Sequence, residues 1–488
     1  MAGLNLTAKP PGPTPQREGR PWTMLAVLLL GQFMALLDVT IVNVAVPTIG
    51  ADLHASGASL QLVVGGYTVT YAMLLITGAR LGDLYGRRRM YLWGAGVFTV
   101  TSLVCGIAPD SVLLIGARLV QGAGAAVMVP QIISVIQMRF EGAARATALS
   151  AYGVVLSVGA LAGLVLGGVL VNADLLGASW RPVFLVNVPL GALLMALIPR
   201  LVPADAPRGT RRLDAAGLAI AVPAVSLVVF PLVLGHETGW PAWTYLCVAA
   251  GVALAGIFVL VERNVAAGGG DPLLDLAVLR APAIAPGISA LTCMQIAYGG
   301  FMFTLAIHLQ SGLGDGALRA GSTFAPVAAV FGLVGFYWRR LPQRLHHLLS
   351  PAGLVLCVLA YLGIAAGFHD GTQDGPLLWA ALVVCGIGMG LTLSPLLAQS
   401  LLRVPPAKAA DASGVLTTTM QLGQVIGVAA FGTLYFSLAT PFPPHSLAQA
   451  HSSAHAMSSA AVCMAVLSAV GALFAIALSR NVRRAGMG

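Results

Sequence analysis

The sequence predicts an all-α polytopic membrane protein with fourteen spanning helices and both ends on the cytoplasmic side. Three observations lead there. Hydrophobic residues make up 58% of the 488 and charged residues only 9%, with a mean hydropathy of +0.88, whereas soluble domains carry roughly 25% charged residues. The apolar residues form unbroken runs of about 20, the length that crosses the hydrocarbon core, not the alternating pattern of barrel strands. With every run counted as a crossing, 23 of the 26 Lys and Arg fall on one side, as cytoplasmic loops demand.

The runs span 22–50, 59–82, 89–108, 111–137, 146–171, 182–202, 213–235, 242–263, 282–310, 318–338, 350–368, 376–400, 410–437 and 458–480. On the same side as Lys9, Arg17 and Arg20 lie Arg80, Arg87, Arg88, Arg89, Arg139, Arg145, Arg200, Arg208, Arg211 and Arg212. Arg263, Arg280, Arg339, Arg340, Arg344, Arg403, Lys408, Arg480, Arg483 and Arg484 join them; Arg181 and Arg319 lie opposite, and Arg118 is within a span. The net charge of +9 therefore reflects topology and implies no nucleic-acid partner. Residues 1–21 look like the basic start of a signal peptide, but the following run is long enough to remain as an uncleaved first span. Six cysteines without paired spacing read as packing thiols, not as disulfides or metal ligands. Abundant Gly and Ala, with Arg far exceeding Lys, suggest a GC-rich bacterial source and hence the cytoplasmic membrane.

The first span contains Asp38, too far from either end to reach water, and an acid at that depth is costly unless it has a partner or a wet cavity. Asp38 lies about 24 Å along its helix from Trp22, and Arg118 about 10 Å from the opposite end of the fourth span. Both therefore fall in the outer half of a core roughly 30 Å thick, and they are expected to interact directly or through water. Burial favours a neutral carboxyl and a neighbouring arginine a charged one, so an acid held between them is suited to carrying a proton. The bland alternative is a static pair that fixes packing.

The second span ends in GARLGDLYGRRRM, residues 78–90, where Asp83, the turn residue Gly86, Arg87 and Arg88 concentrate charge at a helix end. Such a cluster can bridge helix ends in one state and release them in another. In the fifth span Gly159, Gly163 and Gly167 recur on one face, which allows close backbone approach and a sliding surface between halves. Polar residues within spans are candidates for a substrate cavity: Gln32, Asn43, Gln121 and Gln131 early, and Gln295, Tyr298, His308, Gln421 and Gln424 late. The late spans hold no Asp or Glu, which argues against a dicationic substrate and makes Asp38 the cavity's expected carboxylate. The spans at 213–263 are read as free of membrane charge. His445, His451 and His455 fall in the loop before the last span and are read as solvated, with no metal expected.

Several of these stretches resemble the major facilitator superfamily and, more narrowly, its fourteen-helix drug:proton antiporter branch. Asp83-x-x-Gly86-Arg87-Arg88 resembles the loop signature after the second helix. MALLDVTIVNVAVPTI at 34–49, ARLVQGAGAAVMVP at 117–130 and SVGALAGLVLGG at 157–168, which ends on Gly168, resemble the first-, fourth- and fifth-helix signatures. WRPVFLVNVPLG at 180–191 and ASGVLTTTMQLGQVIG at 412–427 are also similar to this branch. Departures are Ala79 for a glycine, Leu84 for a basic residue, and Leu164 for a proline, so the fifth helix is expected to run straighter. The equivalent second-half loop, FYWRRLPQRLHHLL, lacks an acid.

The resemblance implies a major facilitator fold of 6+2+6 helices. A tail at 1–21 leads to a six-helix bundle at 22–202, a linker pair at 203–281, a second bundle at 282–480 and a tail at 481–488. It implies proton-driven export of small amphipathic drugs or antibiotics by a monomer in the bilayer. Asp38 and Arg118 would couple protons, Asp83 to Arg88 would form a switch loop, and Gly159, Gly163, Gly167 and Gly168 would pack helices. No cofactor beyond the proton gradient is implied. An exporter of one endogenous metabolite or lipid-like molecule is the alternative; a lipid-modifying enzyme would need a nucleophile, an acid–base pair or a metal cluster near one interface, for which the His-bearing loop is the one candidate and lacks acidic partners.

Overall fold

A computed structural model describes residues 21–204, 215–235, 238–268, 270, 272, 284–368, 375–401, 409–440 and 446–486. Lys9, Arg17, Arg20, Arg208, Arg211, Arg212, Arg280, Arg403, Lys408 and His445 lie outside them. The described residues form helices and turns and no strand. The first part comprises α1 (Pro21–Leu53), α2 (Gly57–Tyr85), α3 (Arg87–Gly106), α4 (Ser111–Arg139), α5 (Gly142–Ala173), α6 (Pro182–Leu185) and α7 (Asn187–Leu201). Next come α8 (Ala215–Leu234) and α9 (Ala242–Ala267). The last part comprises α10 (Ile284–Ile307), α11 (Ala317–Tyr337), α12 (His346–Gly367), α13 (Pro376–Leu401), α14 (Ala409–Leu438) and α15 (Leu447–Gly486). Among the described residues eleven helical segments are long and apolar enough to cross a membrane.

Local chemistry sets the boundaries. Ser56 caps α2 by accepting from the Ser59 amide at 3.2 Å, and Asp110 caps α4 by accepting from Leu113 at 2.8 Å. Pro189, in the first turn of α7, has no N–H to give the Leu185 carbonyl, so the hydrogen-bond ladder of the expected sixth span is interrupted at Val186 while its backbone stays helical (φ −59°, ψ −26°). The last helix begins at Leu447, well before the expected 458, so His451 and His455 are helical rather than in a loop. They remain exposed, and among the described residues no group of three His, Cys, Asp or Glu could hold a metal. Two charge readings also change. Glu262 is wholly buried within α9, so the inserted pair is not free of membrane charge. Asp411 sits in the first turn of α14, so the late spans are not wholly free of acid.

In the first part α1 packs on α5 and α7, and α4 takes α2 and α3. In the last part α10 lies between α14 and α15, while α12 packs on α13 and α15. The two parts meet along α5 with α11 and α2 with α14; α8 pairs with α9 and leans on both α2 and α14. The glycine ladder corrects the sliding-surface reading. Gly159, Gly163 and Gly167 face α1 of their own half, and only Gly168 reaches α11, where an added Cβ would stand 2.8 Å from the Ala317 carbonyl. Leu164, in place of the usual proline, keeps α5 unbroken from Gly142 to Ala173, and its carbonyl lies against Gly321 of α11.

A Cβ at Gly163 would meet Thr40 Oγ1 at 2.0 Å and the Leu37 carbonyl at 2.8 Å. Gly163→Val is expected to lose about 1–3 kcal/mol of stability through overpacking, read as a lowered midpoint of thermal unfolding in detergent. Gly116→Ala, where nothing lies within 4 Å, is the control and should unfold as the parent does.

Candidate functional site

The structure brings Asp38 and Arg118 into direct contact inside the first bundle. Arg118 Nη1 donates to Asp38 Oδ2 at 2.5 Å, and both side chains are wholly buried. The other carboxylate oxygen accepts from Gln121 Nε2 at 2.9 Å and from Asn187 Nδ2 at 2.8 Å. Gln121 also donates to Ser102 Oγ at 2.7 Å and accepts from Arg118 at 2.7 Å. Arg118 Nε donates to the Val63 carbonyl at 2.9 Å, and its guanidinium lies 4.6 Å from the centre of the Tyr67 ring and 5.7 Å from that of Phe184. A charge taken out of water survives only where its lone pairs and protons find partners, and every group here supplies one.

Five elements build this cluster. Asp38 comes from α1, Val63 and Tyr67 from α2, Ser102 from α3, Arg118 and Gln121 from α4 one turn apart, and Asn187 from the first residue of α7. Asn187 sits at the interrupted ladder after α6 with its side chain on the acid. The same segment seals the cluster: Trp180 packs edge-on against Phe184 at 5.8 Å. Trp180 Nε1 donates to Asp52 Oδ2 at 2.9 Å, and Arg181 reaches the same oxygen at 3.0 Å. Sequence reasoning missed Asn187 and Ser102. Asn187 lay inside a stretch already matched to a family, and its only signal was an amide within an apolar run.

At the far end of α2, Asp83 and Arg87 form an ion pair across the junction between α2 and α3. Arg87 also reaches Met138 Sδ of α4 at 2.9 Å, and Arg88 donates to the Val202 carbonyl after α7 at 3.2 Å. Gly86 is the single residue between α2 and α3, at φ 92° and ψ 132°, a conformation that glycine adopts without strain. These contacts join helix ends within the first bundle.

Between the two bundles runs a narrow, nearly closed crevice, lined by Val39, Asn43, Val64, Gly65, Thr68, Gly299, Met302, Gln424, Val425 and Val428. Of the expected cavity residues only Asn43 and Gln424 line it, joined by Thr68. Gln121 belongs to the Asp38 cluster, and Gln131 ties α4 to α2 by donating to the Gly78 carbonyl at 2.8 Å. Gln32 is buried within its own bundle, while Gln295 and Tyr298 pack inside the second. Gln421 is half-buried on α14. Asp38 itself faces its own bundle and does not line the cleft; Val39 and Asn43, on another face of α1, do.

Asn187→Leu removes one of three donors to a buried carboxylate. We expect a loss of about 1–3 kcal/mol, seen as a lower unfolding temperature, with Asn187→Gln recovering part of it.

The sequence matches the Major Facilitator Superfamily over residues 28–428. It is 37% identical over 439 residues to the probable actinorhodin transporter of Streptomyces coelicolor, covering 88% of this chain and 75% of that one. It is 33% identical over 429 residues to the multidrug resistance protein Stp of Mycobacterium tuberculosis, covering 85% and 76%. The fold is similar to that of a bacterial homologue of the human lysosomal transporter Spinster, solved inward-facing and unoccupied. The TM-score is 0.69 at 18% identity, covering 96% of this chain and 99% of that one. A family match over most of the chain, on an all-helical fold with many apolar spans, places this protein in the Major Facilitator Superfamily as a multi-span membrane transporter and not an enzyme.

Proposed function

We propose that the chain is a proton-coupled antiporter exporting small amphipathic drugs, antibiotics or other toxic compounds by alternating access. It works as a monomer in the bacterial cytoplasmic membrane, crosses it fourteen times with both termini inside, and uses the proton gradient without a cofactor. Bundles at 22–202 and 282–480 rock about the cleft, with the pair at 203–281 between them in sequence. The observation that carries this reading is the enclosed Asp38–Arg118–Gln121–Asn187 cluster, an expensive arrangement for a static helix contact.

The geometry suggests how one proton moves the bundle. A charged Asp38 holds α1 to α4 and to the α6–α7 junction. Protonation turns one acceptor oxygen into a donor and removes the counter-charge, so Arg118 falls back on Gln121 and the Val63 carbonyl. Helix α1 is then freer to shift against α4, and Val39 and Asn43 carry the shift to the cleft wall. Arg118 grips α2 at Val63, beside the lining residues Val64 and Gly65, so both walls respond to one carboxyl. Amide and hydroxyl groups among valines and a methionine suit a neutral or monocationic amphiphile.

The relative named for actinorhodin, a single compound, favours a second reading: a dedicated exporter of one endogenous product. Efflux of a panel of chemically unrelated dyes separates the two, since a dedicated exporter moves none of them or one.

In proteoliposomes with an imposed pH gradient, Asp38→Asn is expected to abolish uphill ethidium transport while keeping downhill exchange. Uphill transport at the parental rate in this variant would refute the coupling role.

A further inference from the structure

The seam between α2 and α14 holds a buried polar group that belongs neither to the Asp38 cluster nor to the crevice lining. Gln61 is 2% exposed, and among the described residues its Oε1 has no hydrogen-bond partner. It stands three and four residues before Val64 and Gly65, so it lies on the crevice-lining face of α2, one turn further out. On the opposite wall Gly432 follows Val428 of α14 by one turn. A Cβ there would sit 2.9 Å from Gln61 Nε2 and 2.8 Å from the Phe303 ring. The carboxamide thus takes the space that a side chain at position 432 would fill, in line with the crevice.

Two contacts close the seam on this side. Phe436 covers Gly57 at the start of α2, where a Cβ would meet its ring at 3.0 Å, and it stands edge-on to Phe303 at 6.3 Å. Gln310, in the π-turn His308–Gly312 after α10, donates Nε2 to the Val44 carbonyl of α1 at 2.9 Å. A carbonyl oxygen taken out of water without a donor costs free energy, and a methionine of the same length would fill the site without that cost. The acceptor is therefore of use in a state where α2 and α14 have parted. Asn43 in the crevice points the same way. Its Nδ2 donates to the Val39 and Thr40 carbonyls at 2.9 and 3.5 Å, which leaves Oδ1 for a ligand.

We propose that Gln61 is a substrate-contacting residue on the outward leg of the transport path, where its Oε1 accepts a hydrogen bond from an N–H or O–H at the polar edge of an amphipathic substrate. The proposal rests on the drug-exporting reading above and names the chemistry that the path selects. When the outer seam opens, a flat amphiphile leaving the crevice passes between Gln61 and Gly432. A donor on its edge satisfies the carboxamide, and the glycine leaves room for its apolar body. A donor-free analogue of the same shape leaves the carbonyl bare, so it loses what the site offers. Asn43 and Gln61 then form two stations, one in the crevice and one further out, that favour substrates carrying donors.

The test compares two acridine cations in efflux from intact cells: proflavine, with exocyclic N–H donors, and acridine orange, in which methyl groups replace them. Gln61→Met should raise the apparent KM for proflavine about three- to tenfold and leave that for acridine orange within about twofold. Its thermal midpoint in detergent should stay level or rise, since a packing role would lower it. Equal changes for both dyes, or none for either, would overturn the proposal. A second measurement needs no transported dye. Gln61→Cys, with Cys247 and Cys463 replaced by serine, should react with a membrane-impermeant thiol reagent applied outside the cells, although the position is enclosed here. No reaction there sinks the idea. If the parent exports neither dye, the drug-exporting reading falls, and the labelling then decides on Gln61 by itself.

Discussion

One buried charge pair organises the first bundle. Asp38 and Arg118 stand in an interior where no solvent compensates an unpaired charge, so the surrounding helices supply the compensation. Gln121, Asn187, Ser102 and the Val63 carbonyl come from four further positions on the helices around α1, each at hydrogen-bond distance. The sixth span, whose ladder Pro189 interrupts, serves the same requirement: Asn187 gives its side-chain amide to the carboxylate, and Phe184 with Trp180 lies beside the cluster.

Because the pair is satisfied within one bundle, the two bundles can meet through weaker contacts. Glycines and small side chains make the seam between α5 and α11, and aromatic rings and one glutamine bond close the start of α2 and the end of α10. Dispersion and close packing dominate such a seam in lipid, where burial of apolar surface supplies little drive. A seam of that kind separates at modest cost, while the charge cluster does not. This division of strength is what the proposed alternating access requires.

The readings that held concern groups whose environment is strongly constrained. An acid and an arginine inside apolar runs announce themselves, and their depths could be compared from helix rise alone, which is why their contact was legible. Neutral polar residues carry no such signal. Gln121 and Gln131 look like Asn43 and Gln424 in the sequence, yet two are spent on helix contacts and two line the cleft. The glycine ladder was legible as a packing face but not its partner, since spacing tells which side of a helix is small and not which helix lies against it.

The sequence by itself determined the class, the approximate spans, the charge-bearing motifs and the pairing of Asp38 with Arg118. Hydropathy and charge act on each segment separately, and the bilayer leaves few alternatives for either. Only the tertiary structure decided the interrupted ladder before Asn187, the face that Asp38 presents, the burial of Glu262 and the setting of Gln61 against Gly432. These depend on distances between side chains far apart in the chain and on helix rotation, and a residue pattern along one strand of sequence does not encode which neighbour will stand opposite.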